Sequence, residues 1–303
     1  MEKNSVFCYG EIGIDNIIEA DQLPTPEIAV FPKSESYHVG GAAANTGIWL
    51  ANMGASVGLS GNVIGNDQYG QLLMERLKEH PKIDLSLVEI REGIPTPFTR
   101  AIVTPDGERS FLIFYYPQTP KVPFELDQLK GARYLALDLY GGQERVDAAI
   151  KAHTAGVRTA IGDVVWKDHP VLPYTSIATN SASYIRTLFP GVAVREYAQE
   201  LQAVSKGIVI TTDGGDSIHT IDKDGTAFEV SPPRVEVKDA TGAGDAFRAG
   251  LLFGLSEGKT LEESVCLGAA AGSLKVGKFG AATTLPPAVD IFRLAETIKV
   301  ERA

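Results

Sequence analysis

Residues 237–247 read VKDATGAGDAF: a β-like run ending at Val237, a turn with almost no side-chain bulk at Gly242-Ala243-Gly244, and an apolar pattern of helical spacing over 246–255. A strand that enters a helix through a glycine turn is the building unit of α/β folds. The same alternation extends outward through the chain. Buried β-rich runs fall at 6–12, 57–64, 134–139, 157–164 and 207–212, and helical patterns at 43–53, 68–79, 145–153, 261–276 and 288–300. The spacing predicts a mostly parallel sheet with helices on both faces.

Small residues let the 242–244 backbone fold tightly and turn successive N–H groups toward one point. The first helical turn adds unpaired donors and a positive dipole end. Together they suit a phosphate or a developing anion. Asp245 closes this socket. A carboxylate repels a phosphate, so its chemical use there is as a general base that takes a proton from an attacking hydroxyl. The cluster also reads as an ordinary helix start, with Asp245 as a cap and the glycines serving close packing. The residues alone leave both readings open.

Two stretches break the alternation. Residues 98–116 (FTRAIVTPDGERSFLIFYY) read as a β-hairpin around Pro105-Asp106-Gly107, and residues 14–39, with Pro24, Pro26 and Pro32, also lack a helical period. Two such inserts predict a small accessory sheet, either a plain surface hairpin or a lid that excludes water. The expected division is a core of 1–12, 40–97 and 117–303, with 13–39 and 98–116 as the lid.

The chain has 303 residues and a formal charge of −10, which disfavours nucleic acid and anionic membranes as partners. Cys8 and Cys266 sit among apolar neighbours and read as small buried hydrophobes. The N-terminus lacks the pattern of a signal peptide and no run of 18 apolar residues occurs, so the cytoplasm is expected. There is no GxxxxGK[ST], no GxGxxG after the first strand and no HExxH.

Three further clusters fall at strand or helix ends. Gly40-Gly41-Ala42-Ala43-Ala44-Asn45 precedes a helix, and the Asn45 amide suits a neutral polyol. Asp15 lies just beyond the first strand, where open α/β sheets bind ligands. Thr212 and Gly214 sit where the 207–212 strand enters a turn.

In this order the motifs resemble the ribokinase-type (PfkB) carbohydrate kinases across essentially the whole chain. Gly40-Gly41-x-x-x-Asn45 resembles the N-terminal signature, Gly65-x-Asp67-x-x-Gly70 a following element, and Asp239-x-Thr241-Gly242-Ala243-Gly244-Asp245 the C-terminal signature. The resemblance implies a ribokinase-like three-layer α/β/α sandwich with a mostly parallel central sheet and a small β lid. It also implies ATP-dependent phosphorylation of an alcohol. Asp245 would be the base, with the amides of Gly242, Ala243 and Gly244 as anion hole. Asp15, Gly40, Gly41 and Asn45 would hold the substrate. Asn180, Thr212, Gly214, Thr241, Gly242 and Gly244 would contact the nucleotide, with residues 280–285 near its adenine. Mg²⁺ would come with ATP, and a monovalent cation such as K⁺ would sit by Asp239.

The chain departs from the family pattern at Ser183, where Asn-x-x-Glu is common, at Val165 and Lys167, and at Ser217. Arg100 or Lys33, if turned inward, would select a carboxylated or phosphorylated substrate. Phe98, Phe111, Phe114, Tyr115 and Tyr116 could stack a base, so a nucleoside kinase is the alternative enzyme. A non-catalytic sugar or nucleotide sensor is the alternative of another class. The apolar lid suggests a homodimer.

Overall fold

The computed structural model describes residues 5–105 and 109–302. In chain order β1 (Val6–Gly10) is followed by β2 (Gly13–Glu19), β3 (Ser34–Gly40), α1 (Ala42–Met53), β4 (Val57–Gly61), β5 (Ile64–Gly65), α2 (Gln68–Lys78), β6 (Ile83–Asp84), β7 (Ile90–Arg91), β8 (Phe98–Val103) and β9 (Arg109–Phe114). Then come β10 (Tyr134–Leu137), α3 (Gln143–Thr154), β11 (Arg158–Gly162), β12 (Ile177–Ser181), α4 (Ala182–Leu188), α5 (Val194–Ser205), β13 (Ile208–Thr212), β14 (Ile218–Ile221) and β15 (Ala227–Val230). The chain closes with α6 (Ala243–Ser256), α7 (Leu261–Val276), α8 (Ala288–Glu296) and β16 (Val300–Arg302).

Ten strands form one sheet in the order β16-β15-β14-β13-β12-β11-β10-β1-β4-β6. The pairings from β6 to β13 are parallel, and β14 to β16 extend one edge antiparallel. Alternation along β1 explains the three layers. Val6 and Cys8 point into one core with α1, α6 and α7, whereas Phe7 and Tyr9 point into a second core with α3 and α5. Both cysteines are buried free thiols. Burying each large apolar side chain in these layers contributes roughly 1.5–3 kcal/mol.

A second sheet of four strands has the order β3-β2-β8-β9. β2 pairs antiparallel with β3 and parallel with β8, and β8 pairs antiparallel with β9. The hairpin turn expected at Pro105-Asp106-Gly107 lies largely outside the described residues. The Gly65-x-Asp67-x-x-Gly70 element has a structural role. One Asp67 oxygen accepts the Gly70 N–H (2.8 Å) and caps α2, and the other accepts the Thr96 N–H (2.8 Å).

Several elements differ from the pattern reading. The run expected to be helical to residue 300 stops at Glu296, and Val300–Arg302 adds an edge strand to β15. Strand β12 and helices α4 and α5 were not anticipated. α5 does carry the signal, with Tyr197, Ala198, Leu201 and Ser205 buried on one face. α6 begins at Ala243, three residues earlier than its apolar pattern suggests, with Gly242 as its N-cap. Asp245 therefore lies inside the first turn and is not the cap.

α6 and α7 pack closely because glycines face the contact. A Cβ at Gly250 would stand 2.5 Å from the Leu267 carbonyl oxygen. Overpacking there has no flexible side chain to absorb it, so Gly250→Val is expected to destabilise by about 1–3 kcal/mol. Chemical denaturation of the two proteins tests this, and an unchanged midpoint would show that the helix pair can separate freely.

Candidate active site

The direction of chain progression reverses at β1, which has β4 on one side and β10 on the other. Ligands in open α/β sheets bind outside the strand ends at such a switch point. Two carboxylates meet there. The Glu11 N–H donates to Asp138 Oδ2 (2.5 Å), and Arg145 Nε donates to Asp138 Oδ1 (3.2 Å). Burial, with Asp138 nearby, pushes the Glu11 carboxyl up to about 8.

Asp245 projects into the same region from α6. Its Oδ2 accepts from Asn45 Nδ2 (3.2 Å) and its Oδ1 from Arg248 Nη2 (2.6 Å). The Asn45 Oδ1 is buried with no partner among the described residues. Burial raises the Asp245 carboxyl to about 6, against the opposing charge of Arg248. At the turn before α6, Gly242 has φ +74°, and a Cβ there would stand 2.5 Å from that of Ala281. The three turn amides are not equivalent. The Ala243 N–H donates to the Ala240 carbonyl (3.2 Å), whereas those of Gly242 and Gly244 have no acceptor among the described residues. The open donors of the expected anion hole are therefore Gly242 and Gly244, with Ala243 engaged in the turn.

Asp15 on β2 faces this group across the cleft. Burial pushes its carboxyl up to about 7, with the negative charges of Asp245 and Asp239 adding to the effect. Gly40 leaves room for it, since a Cβ there would stand 2.3 Å from Asp15 Oδ1. Gly41 has φ +88° and lies under the Glu11 carbonyl, where a Cβ would come within 2.3 Å. Arg100 is not brought to the site. Asp15 pairs with Thr99, and Arg100 is next along β8, so it stands on the opposite face of the sheet. There its Nε donates to Asn16 Oδ1 (2.7 Å). Lys33 pairs with Asp21 on the surface (2.5 Å).

On the other side of the α6 N-terminus lies a cavity of about 450 Å³. Thr212, Gly214 and Gly244, three of the six residues assigned to the nucleotide, line it together with Val237, and Phe247 and Ala269 supply an apolar wall. The segment 280–285, expected near the adenine, is pinned to α1 through Trp49 Nε1 to the Ala281 carbonyl (3.0 Å). Asn180 is buried, and neither atom of its carboxamide has a partner among the described residues. Beyond Asn180, the Ser183 hydroxyl contacts Ser181 Oγ (2.8 Å) where the family pattern has a carboxylate.

Thr241 contributes through its backbone. Its N–H donates to Asp239 Oδ1 (2.8 Å), and the Gly280 N–H donates to Asp239 Oδ2 (2.8 Å). Lys275 Nζ lies 3.5 Å from that same Oδ2 and 2.6 Å from the Asp239 carbonyl oxygen. The K⁺ expected beside Asp239 does not fit this arrangement, because an ammonium group already stands among the oxygens.

The sequence reading did not single out Glu11, Asp138, Arg145, Arg248 or Lys275. Arg248 and Lys275 had a visible signal, each being a lone cation in an apolar helical run.

Asp15 has a consequence for stability. Its ordinary value is 3.8 and its folded value about 7, so the ionised form penalises the folded state. That penalty is absent below pH 3.8, grows from there to about pH 7 and is complete above. Asp15→Asn is expected to raise the melting temperature at pH 8, by an amount that shrinks toward pH 4. A variant less stable than the parent at pH 8 would show that the fold needs the charge.

The chain matches the family described as pfkB family carbohydrate kinase over residues 3–288. It is 26% identical over 310 residues to the aminoimidazole riboside kinase of Salmonella typhimurium, covering 93% of this chain and 92% of that one. It is 24% identical over 300 residues to the ribokinase of Bacillus subtilis, covering 93% and 96%. The structure of Arabidopsis thaliana ribokinase complexed with ribose and ATP superposes with a TM-score of 0.82 at 22% identity, covering 97% of this chain and 99% of that one. A family match spanning nearly the whole chain, on a fold and motif order that agree with it, means that the protein belongs to the pfkB family of carbohydrate kinases.

Proposed function

We propose that the protein transfers the γ-phosphoryl group of ATP to a hydroxyl of a sugar or sugar derivative. The observation that carries this reading is Asp245, a buried carboxylate in the first turn of α6, beside the open amides of Gly242 and Gly244 and opposite Asp15 and Asn45.

In this mechanism Asp15 and Asn45 hold the substrate hydroxyls, and Asp245 accepts the proton of the one that attacks. Arg248 fixes one Asp245 oxygen and leaves the other near Asn45, facing the substrate. The Gly242 and Gly244 amides absorb negative charge on the phosphoryl oxygens. Thr212 and Gly214 flank the nucleotide in the neighbouring cavity. The unpartnered Asn180 amide fits a water of a Mg²⁺ shell, and the ion when bound neutralises phosphate charge.

Of the five aromatics that could stack a base, two are turned away from the cleft. Phe98 and Phe114 stack on each other at 4.4 Å, and Phe98 also contacts Tyr69 of α2 at 5.1 Å. They fill the layer on the sheet face away from Asp15. The retained base argues against a pure sensor. We further infer that the lid pairs with a second copy, because edge strand β9 leaves Phe111 48% and Ile113 64% exposed. Sedimentation showing only monomer at micromolar concentration would count against pairing.

ATP turnover with a panel of sugars and nucleosides tests the reaction. Phosphorylation of a sugar is expected, and binding without turnover would favour the sensor. Asp245→Asn should lower kcat by at least ~10²-fold. The base must be ionised and titrates at about 6, so kcat should fall as pH drops through 6. Arg248→Met removes the cation that holds this value down, so the acid limb should move to higher pH. An unmoved limb would take Asp245 out of the proton-transfer step.

A further inference from the structure

We propose that Lys275 supplies, as part of the chain, the monovalent cation on which the anion-hole turn rests, so that the kinase works without K⁺. This rests on the kinase reading above.

Lys275 lies in the last turn of α7 and is 1% exposed, as is Asp239. Its ammonium group contacts the carbonyl oxygens of Asp239 (2.6 Å) and Lys278 (3.1 Å) and lies 3.5 Å from Asp239 Oδ2. Backbone carbonyls converging on one point replace a hydration shell and are the donor set that holds K⁺. A carboxylate alongside favours a single positive charge there. The negative end of the α7 dipole favours it further.

The place of this cluster in the chain gives it a catalytic consequence. Asp239 Oδ1 holds the Thr241 N–H, one residue before Gly242, and Oδ2 holds the Gly280 N–H. The Lys238 and Asp239 N–H groups both reach the Val276 carbonyl, 2.7 and 3.1 Å away. The ammonium therefore neutralises the carboxylate that ties both loops together and sets where the Gly242 and Gly244 amides point. Lys275 touches no reacting atom and is a positioning residue.

The test measures turnover and melting temperature in buffers whose monovalent cation is tetramethylammonium, Na⁺, K⁺ or NH₄⁺. The parent protein should show the same rate and melting temperature in all four. Lys275→Ala removes the ammonium beside Asp239 and vacates the cage. In tetramethylammonium it should lose about 10-fold or more in kcat. K⁺ or NH₄⁺ should restore both its rate and its melting temperature. Lys275→Met, which fills the space without the charge, should lose rate and show no rescue. A parent enzyme activated several-fold by K⁺ would overturn the proposal. So would a Lys275→Ala protein whose melting temperature ignores K⁺, or one that does not fold even in K⁺. The melting readout is independent of catalysis: a K⁺-stabilised Lys275→Ala protein without turnover of any substrate keeps the role of Lys275 and removes the kinase reading.

Discussion

The Asp239 carboxylate is the contact on which the site depends. Its two oxygens take backbone N–H groups from opposite sides, Thr241 before α6 and Gly280 after α7. That pairing brings Ala281 against Gly242, where a side chain would collide, and it fixes the direction in which α6 enters the protein. A carboxylate buried this deeply needs hydrogen bonds and a counter-charge. Bonding to the Thr241 and Gly280 amides, together with the Lys275 charge, holds its pKa below the ordinary value against the cost of burial. The ionised Asp239 and the protonation-prone Asp15 and Asp245 thus lie close together, and at Asp15 and Asp245 burial outweighs whatever donors each is given.

The substrate side of the cleft is rich in carboxylates for a protein expected to meet a polyanion. Glu11, Asp15 and Asp245 all have raised values, and burial is the first cause in each case. Arg145 and Arg248 are buried among them and hold Asp138 and Asp245 in fixed directions. Charge sites of this kind reduce stability and are kept where chemistry needs them. The division of the cleft follows. On the proposed reaction, carboxylates would face the hydroxylic substrate, and backbone amides with a helix end would face the phosphates.

Much of this was legible in the sequence where the physics is local. The glycine turn at 242–244, the buried runs of β1, β4, β10, β11 and β13, and the two inserts that form the second sheet all follow from spacing and turn chemistry. What escaped was set by tertiary neighbours. The short strand β12 has polar Thr179 and Asn180 in its interior, so its apolar pattern is weak. Arg100 looked available because charge shows in a sequence, whereas the pleat that turns it away from Asp15 shows only once β2 and β8 are paired. The Ala243 amide reads as a free donor in the sequence, whereas the turn brings the Ala240 carbonyl within its reach. Lys275 acquires its meaning from a residue 36 positions away.

The parallel pairing of β2 with β8 bears on how the chain reaches this state. Asn16 and Arg100, which bond across that pair, are 84 residues apart, and the segment between them includes α1, β4 and α2. Contacts of such separation close slowly, because loop entropy is lost before they repay it. The central sheet closes longer loops still, Val6 of β1 pairing with Tyr134 of β10, so both sheets make this a fold of non-local pairings. Strands that must wait for distant partners leave edges open to other chains, so a newly made chain of this fold is exposed to association until those pairs close.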